Sequence, residues 1–233
     1  MIICLETATN LCSVALCDNN GVVALRESDE TKSHASMLTV FIQEILKEKG
    51  VKPEELEAIA VSRGPGSYTG LRIGVSAAKG IAYGAAIPLI AIDTTLSMFH
   101  GVAEKWLKNK ETDSGTIFCP MLDARRMEVY YALYNSAGKR IKDIAAEVIT
   151  AESFTEFPLS QKILFFGDGS AKCRHLISRP DSCFDNEYRI SAAHMQKPAY
   201  EAFNAKLFED VAYFEPFYLK DFITTKQRKN ILG

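Results

Sequence analysis

Two acidic residues and two glycine turns mark where this chain could do chemistry. Glu6 closes the apolar run Ile2–Glu6, and Asp123 follows Leu122 at the end of a second apolar run. Gly64-Pro65-Gly66-Ser67 ends the stretch Ala58–Ser62, and Gly167-Asp168-Gly169-Ser170 ends Ile163–Phe166. A carboxylate at a strand end can help hold a metal–phosphate, and the backbone amides of a glycine turn opening a helix favour an anion. Glu6, Thr7, Gly64, Gly66, Ser67, Asp123, Gly167 and Gly169 are therefore a candidate phosphate-binding set of vestigial character. A sharp strand-to-helix turn with no ligand is the competing reading of the same glycines.

Other reactive constellations are thin. The chain has four histidines, His34, His100, His175 and His194, and none stands three or four residues from another. A helical i, i+4 pair would put two imidazoles on one face for a metal ion. The nearest substitute, His100-x-x-x-Glu104, reads as a solvated helical pair, and Asp168 has no histidine near it in sequence. Neither a G-x-S-x-G elbow nor a G-x-x-x-x-G-K-[ST] loop occurs. No catalytic residue and no metal ligand is expected.

The elements that position these residues follow from periodicity. Ile2–Glu6, Cys12–Cys17 and Val22–Arg26 read as strands, with Asp18-Asn19-Asn20-Gly21 as a tight turn. Ser33–Lys49 carries Met37, Leu38, Phe41, Ile42, Ile45 and Leu46 at helical spacing, and Gly50 stops it. A strand over Ala58–Ser62, a helix over Gly70–Gly84, a strand over Pro88–Ile92 and a helix over Thr94–Leu107 complete the order β-β-β-α-β-α-β-α. That order predicts a mixed α/β sheet flanked by helices.

Lys108–Gly115 is polar and aperiodic, the best linker candidate, and beyond it the opening repeats. Glu6 and Asp123 stand 117 residues apart, and the same spacing relates Ala15-Leu16 to Ala132-Leu133, Asp18 to Asn135 and Gly21 to Gly138. A duplicated unit explains these matches, giving lobes at 1–107 and 108–233, the second more divergent, with helices over roughly Ala171–Ser178 and Pro198–Phe214. Two such units, each opening on a strand, an acidic residue and a hairpin, follow the plan of the actin, sugar-kinase and heat-shock ATPase fold.

Composition narrows the function classes. With 27 basic and 29 acidic side chains the formal net charge is −2, which argues against a general basic surface for nucleic acid. Only the end is locally basic, with Lys220, Lys226, Arg228 and Lys229 against Asp221. The six cysteines form no C-x-x-C pair and sit largely in apolar runs, as buried free thiols of a reducing compartment would. The chain opens on an apolar strand without a basic leader, and its longest uncharged stretch, Gly80–Ile92, is too short to span a bilayer. A cytosolic location without membrane association is expected.

The helix at Gly70–Gly84 is poor in bulk. Glycine in a helix interior costs up to about 1 kcal/mol relative to alanine, so close approach of another element must compensate. Packing inside its own lobe and an intermolecular seam with Ser33–Lys49 both meet that need.

The string Gly64-Pro65-Gly66-Ser67-Tyr68-Thr69-Gly70-Leu71-Arg72-Ile73-Gly74 is more specific than its glycines. Together with Glu6-Thr7-Ala8-Thr9, Ser13-Val14-Ala15-Leu16, His34, Asp123-Ala124-Arg125-Arg126, Glu128-Val129-Tyr130 and Pro216-Phe217-Tyr218-Leu219-Lys220, it resembles the bacterial TsaB family, also called YeaZ, along nearly the whole chain. The resemblance implies a two-lobed protein of the actin-like fold that serves synthesis of N6-threonylcarbamoyladenosine at position 37 of tRNAs reading codons that begin with A. It implies a non-catalytic partner of the paralogue TsaD, joined by the ATPase TsaE, with a homodimer in isolation. TsaD binds its metal through a His-x-x-x-His pair, which this chain lacks. The implied pairing surface lies on the first two helices, at His34, Met37, Leu38, Phe41, Ile45, Gly70, Leu71, Ile73, Gly74, Ala77, Ala78 and Ile81. No intrinsic cofactor is implied, with ATP or ADP held only in the complex, and tRNA is reached through the complex with a contact from Lys220, Lys226, Arg228 and Lys229. The competing reading is an ATP-dependent phosphotransferase or hydrolase of the same fold acting alone, with Glu6, Asp123 and Asp168 around Mg²⁺ and phosphate.

Overall fold

β1 (Ile2–Glu6) is apolar at successive positions, the pattern of a strand covered on both faces, and it is fully buried at the centre of its sheet. It pairs antiparallel with β2 (Cys12–Asp18), which pairs antiparallel with β3 (Gly21–Ser28). On its other edge it runs parallel to β4 (Ala58–Gly64), which runs parallel to β5 (Leu89–Asp93), giving the order β3-β2-β1-β4-β5. The hairpin turn closes through Asp18, whose Oδ1 accepts from the amides of Asn20 and Gly21. The computed structural model describes residues 1–29, 34–108 and 115–219, so most of the expected linker and the basic tail from Lys220 lie outside the described residues.

The second sheet repeats the first. β6 (Ile117–Asp123), β7 (Glu128–Tyr134), β8 (Arg140–Val148), β9 (Ile163–Phe166) and β10 (Ser182–Asp185) take the order β10-β9-β6-β7-β8, the same succession of antiparallel and parallel pairs. Asn135 reproduces the Asp18 turn, its Oδ1 accepting from the amides of Ala137 and Lys139. The duplication expected from the 117-residue spacing is thus a duplication of sheets.

Helices form three layers around and between the sheets. α1 (His34–Lys49) and α2 (Tyr68–Ala85) cover the outer face of the first sheet through Leu38, Phe41, Ile42, Ile45, Val75 and Ala78 against Ile3, Leu5, Val14 and Leu16. α5 (Gln196–Asn204) and the 3-10 turn Ala192–Met195 cover its inner face, where Ala199 and Tyr200 meet Ile2, Cys4 and Cys17. α3 (Thr94–Lys108) belongs by chain order to the first lobe, yet its Met98, Phe99 and Val102 pack on Phe118, Tyr134 and Phe166 of the second sheet. The inner layer thus holds α3 and α5, each covering the other lobe's sheet. α4 (Ser170–Cys173) and the turns around Phe154 cover the outer face of the second sheet. Burial of each large apolar side chain in these layers contributes about 1.5–3 kcal/mol.

Two expected helices are shorter than their periodicity suggested. α4 ends at Cys173, where Leu176 and Ile177 turn back to the Cys173 carbonyl. α5 ends at Asn204 because Lys206 takes a left-handed conformation at φ 55°. The chain then runs as a strap: the Glu209 amide bonds the Leu89 carbonyl, Lys79 Nζ donates to the carbonyls of Ala212 and Phe214 at 3.1 and 2.9 Å, and the Phe217 amide bonds the Arg63 carbonyl at 2.7 Å. Phe214, at helical spacing in the sequence, enters the first core from this strap instead. All six cysteines are free thiols, five of them buried. Among the described residues no helix is long and apolar enough to cross a membrane.

Candidate functional site

At the first glycine turn, several polar groups bond within the turn and to the loop after β1. Ser67 caps α2, its Oγ accepting from the Gly70 amide, and its own amide donates to the Ala8 carbonyl at 2.6 Å. Thr7 Oγ1 donates to the Gly70 carbonyl at 2.8 Å. A Cβ on Gly66 would lie 2.7 Å from that of Ala8, one on Gly70 would overlap the Thr7 carbonyl, and one on Gly74 would overlap Thr7 Oγ1. These glycines let α2 sit directly on the loop after β1. Glu6 is fully buried; its Oε1 accepts from the Ala8 amide and Ser62 Oγ at 2.7 Å each, while Oε2 has no hydrogen-bond partner. Burial raises its pKa to about 7 despite these bonds.

The second turn closes in the same way. Gly167, at φ +100°, and Gly169 pack on Met121 and Leu122, and the Gly169 amide donates to the Met121 carbonyl. Asp168 Oδ1 accepts from the Asp123 amide at 3.0 Å, and burial raises the Asp168 pKa. Asp123 itself pairs with Lys172. Between the lobes remains a cleft of about 200 Å³ lined by Thr9, Asn10, Asp29, Asp168, Tyr188 and Arg189 among others, with Asp29 and Arg189 ion-paired across it. Small-molecule sites usually enclose about 300–1,000 Å³. Of the phosphate set expected from the sequence, Gly167 lines this cleft, while Thr7, Gly66 and Gly169 make close contacts within their own lobes.

The histidines are dispersed. Burial lowers the pKa of His100 and of His194 to about 4, so both are neutral at pH 7. His194 Nδ1 pairs with the Tyr188 hydroxyl at 3.2 Å and its ring fills the space left by Gly101. The side chains of His34 and Glu104 lie outside the described residues. Among the described residues no group of three or more His, Cys, Asp and Glu side chains is disposed to hold a metal ion.

The outer face of α1 and α2 differs from the cleft. There a groove of about 520 Å³ is lined by Thr39, Ile42, Gln43, Leu46, Lys47, Pro53 and Ile81. Val40 on α1 is 43% exposed and Tyr83 on α2 is 84% exposed. Of the surface residues expected from the sequence, Met37, Ile73, Ala77 and Ile81 are half-buried at this face. Leu38, Phe41, Ile45, Gly70, Leu71, Gly74 and Ala78 are buried within the first lobe, so the small-residue side of α2 packs on the lobe interior. Of the residues lining this groove, Ile81 was among the expected pairing residues, whereas Thr39, Ile42, Gln43, Leu46, Lys47 and Pro53 were not. Val40, apolar, exposed and out of phase with the buried stripe of α1, was the available signal there.

The strap ends against the same helix. Tyr218 stacks on Tyr68 with ring centres 4.8 Å apart, Arg72 lies 4.3 Å above the Tyr68 ring, and its Nε donates to the Tyr218 hydroxyl at 3.3 Å. A Cβ on Gly64 would meet the Phe217 carbonyl at 2.5 Å. The string Gly64–Gly74 and the Pro216–Leu219 segment, far apart in sequence, are therefore one packed unit.

Two duplicated mixed sheets, with an inner helix from each lobe packed on the other lobe's sheet, define a two-lobed protein of the actin-like fold class. Residues 27–221 match the model of the family described as "TsaD: tRNA N6-adenosine threonylcarbamoyltransferase". The chain belongs to this family, and within it to the TsaB (YeaZ) group. A relative from Escherichia coli, named tRNA threonylcarbamoyladenosine biosynthesis protein TsaB, is 38% identical over 57% of this chain and 54% of its own length. The chain thus spans about half the length of that relative, whereas one of the same name from Bacillus subtilis is 28% identical over 94% of this chain and 93% of its own. The solved structure of YeaZ from Pseudomonas aeruginosa covers 94% of this chain and 99% of its own with a TM-score of 0.77 at 24% identity, a likeness of fold.

Proposed function

We propose that the chain is a non-catalytic subunit in N6-threonylcarbamoyladenosine synthesis on tRNA, pairing through the outer face of α1 and α2 with a TsaD-like transferase paralogue. The observation that carries this reading is the groove on α1 and α2 whose lining includes Ile42, Leu46, Pro53 and Ile81, on a chain whose own cleft is small. The names of the E. coli and B. subtilis relatives support the pathway. A TsaE-like ATPase joins the pair in the cytoplasm, any ATP or ADP is held only in that complex, and the same face pairs two copies of the chain when it is alone. The basic tail, Lys220, Lys226, Arg228 and Lys229, adds a salt-sensitive tRNA contact.

An omission assay tests this. Purified transferase, ATPase and unmodified tRNA are combined with and without the chain, and modified adenosine is measured by mass spectrometry. Modification that depends on the chain is the expected result. Modification that proceeds undiminished without it, or tight Mg-ATP binding with turnover by the chain alone, contradicts the proposal and favours the independent phosphotransferase.

A further inference from the structure

Five residues other than glycine hold a positive φ among the described residues, and for three the cause is visible in the fold. Ala86 closes α2, Lys206 closes α5, and Phe154 is buried in the second core. The remaining two, Arg125 at φ 68° and Arg126 at φ 50°, are consecutive, and both side chains are exposed. Left-handed backbone disfavours any residue with a Cβ, and Asn or Gly would meet the same geometry at little cost. Elsewhere the molecule does use glycine, as at Gly138 in the hairpin between β7 and β8.

The strained hairpin is held from beneath. Lys172 Nζ donates to the carbonyls of Arg126 and Glu128 at 2.8 and 2.7 Å and pairs with Asp123, whose Oδ1 also accepts from the Arg125 amide. The Glu128 amide and carbonyl bond the Arg125 carbonyl and the Ala124 amide. Lys172 thus offsets Asp123, and neither arginine has a carboxylate partner among the described residues. Beyond Lys172, Arg174 is exposed with its guanidinium 5.4 Å from the Phe184 ring centre. Two exposed arginine side chains therefore stand on a hydrogen-bonded turn where neither packing nor backbone preference requires arginine.

We propose that Arg125 and Arg126 form a phosphate-binding ridge that seats the sugar–phosphate backbone of tRNA on the second lobe. The planar guanidinium fork matches phosphate oxygens in pairs, and on a nearly neutral chain such contacts must come from local cations. This inference rests on the proposed role in tRNA modification and adds a contact on the opposite lobe from the pairing face.

The test is fluorescence anisotropy of a labelled, unmodified tRNA transcript with the full chain, alone and mixed with its cognate transferase, between roughly 50 and 200 mM salt. The variant Arg125→Asn/Arg126→Gly removes both charges and relaxes the backbone. It is expected to bind tRNA about tenfold more weakly at the low-salt end, with a log–log salt slope shallower by about 1.5 to 2. Its melting temperature should rise by about 2–4 °C, separating lost binding from lost fold. Arg125→Lys/Arg126→Lys should keep the slope, because both charges remain. Unchanged affinity and slope in the Asn/Gly variant, or no tRNA binding by wild type in either setting, overturns the ridge. Loss of transferase co-elution in that variant, with the chain's own tRNA affinity intact, also overturns it and makes the pair a protein contact. Co-elution of wild type with the transferase is read independently, so failure of the ridge and failure of the parent role are distinguishable.

Discussion

Glu6 is the residue whose environment departs furthest from what its position in the sequence suggested. A carboxylate at a strand end reads as a metal or phosphate partner, yet here it is a buried acid with a pKa near 7. Below about pH 4.5 it is protonated in both folded and unfolded chains. As pH rises, the unfolded chain releases the proton first, so stability falls until the folded group also ionises near 7, by about 3 kcal/mol in all. Glu6→Gln should therefore gain stability over wild type as urea unfolding is moved from pH 5 to pH 8. His100 and His194 act in the opposite direction, with stability lost as pH falls from 6.5 towards 4, but they are common to both proteins. A pH-independent difference would show that Glu6 is ionised in the fold. The glycines give a second contrast. Gly70→Ala should destabilise by about 2–3 kcal/mol through overlap with the Thr7 carbonyl. Gly80→Ala, with no atom within 4 Å of the new Cβ, should stabilise by up to about 1 kcal/mol. Thermal melts of both variants check the signs.

Among elements, much of the fold was legible. The strands of the first lobe and the helices α1, α2 and α3 fall where alternation, helical spacing and turn residues put them, and the repeat of Glu6 in Asp123 exposed the second sheet. What escaped was tertiary. Periodicity assigns Phe214 to a helix, but the left-handed Lys206 ends α5 and the strap reaches the first core across the surface of α2. The site was legible in part for the same reason. Spacing identifies which side of α1 and α2 is apolar, not which apolar residues remain outside once Leu38, Ile45 and Ala78 are buried. The small residues of α2 likewise look equally fit for either use until Thr7 and Ala8 are seen against Gly66, Gly70 and Gly74. Lys79, holding two strap carbonyls, carries a prediction at this scale: Lys79→Met should loosen the strap, seen as faster hydrogen exchange of the Phe217 amide, and unchanged exchange would place the strap's hold elsewhere.

Across the whole molecule, the lobes are joined by inner helices that each pack on the other lobe's sheet and by Asp93, which bonds Arg63 at 2.6 Å in the first sheet and Arg140 at 2.8 Å in the second. Asp93 is largely buried while both arginines are more than a third exposed, so solvent screens part of the attraction. Asp93→Asn should destabilise by about 1–2 kcal/mol in denaturant titrations, less at high salt; no change would mean the helices alone set the lobe arrangement. The small cleft and the larger outer groove are what the proposed role as a bound subunit rests on. The measurement that tests this most directly is size-exclusion chromatography with light scattering of the chain mixed with its cognate transferase, wild type beside Val40→Glu/Gln43→Glu. Both substituted side chains are exposed, so stability should change by no more than about 0.5 kcal/mol per site. The account predicts a heterodimer mass for wild type and separate components for the variant. Wild type that never joins the transferase, or a variant that pairs undiminished, would contradict it.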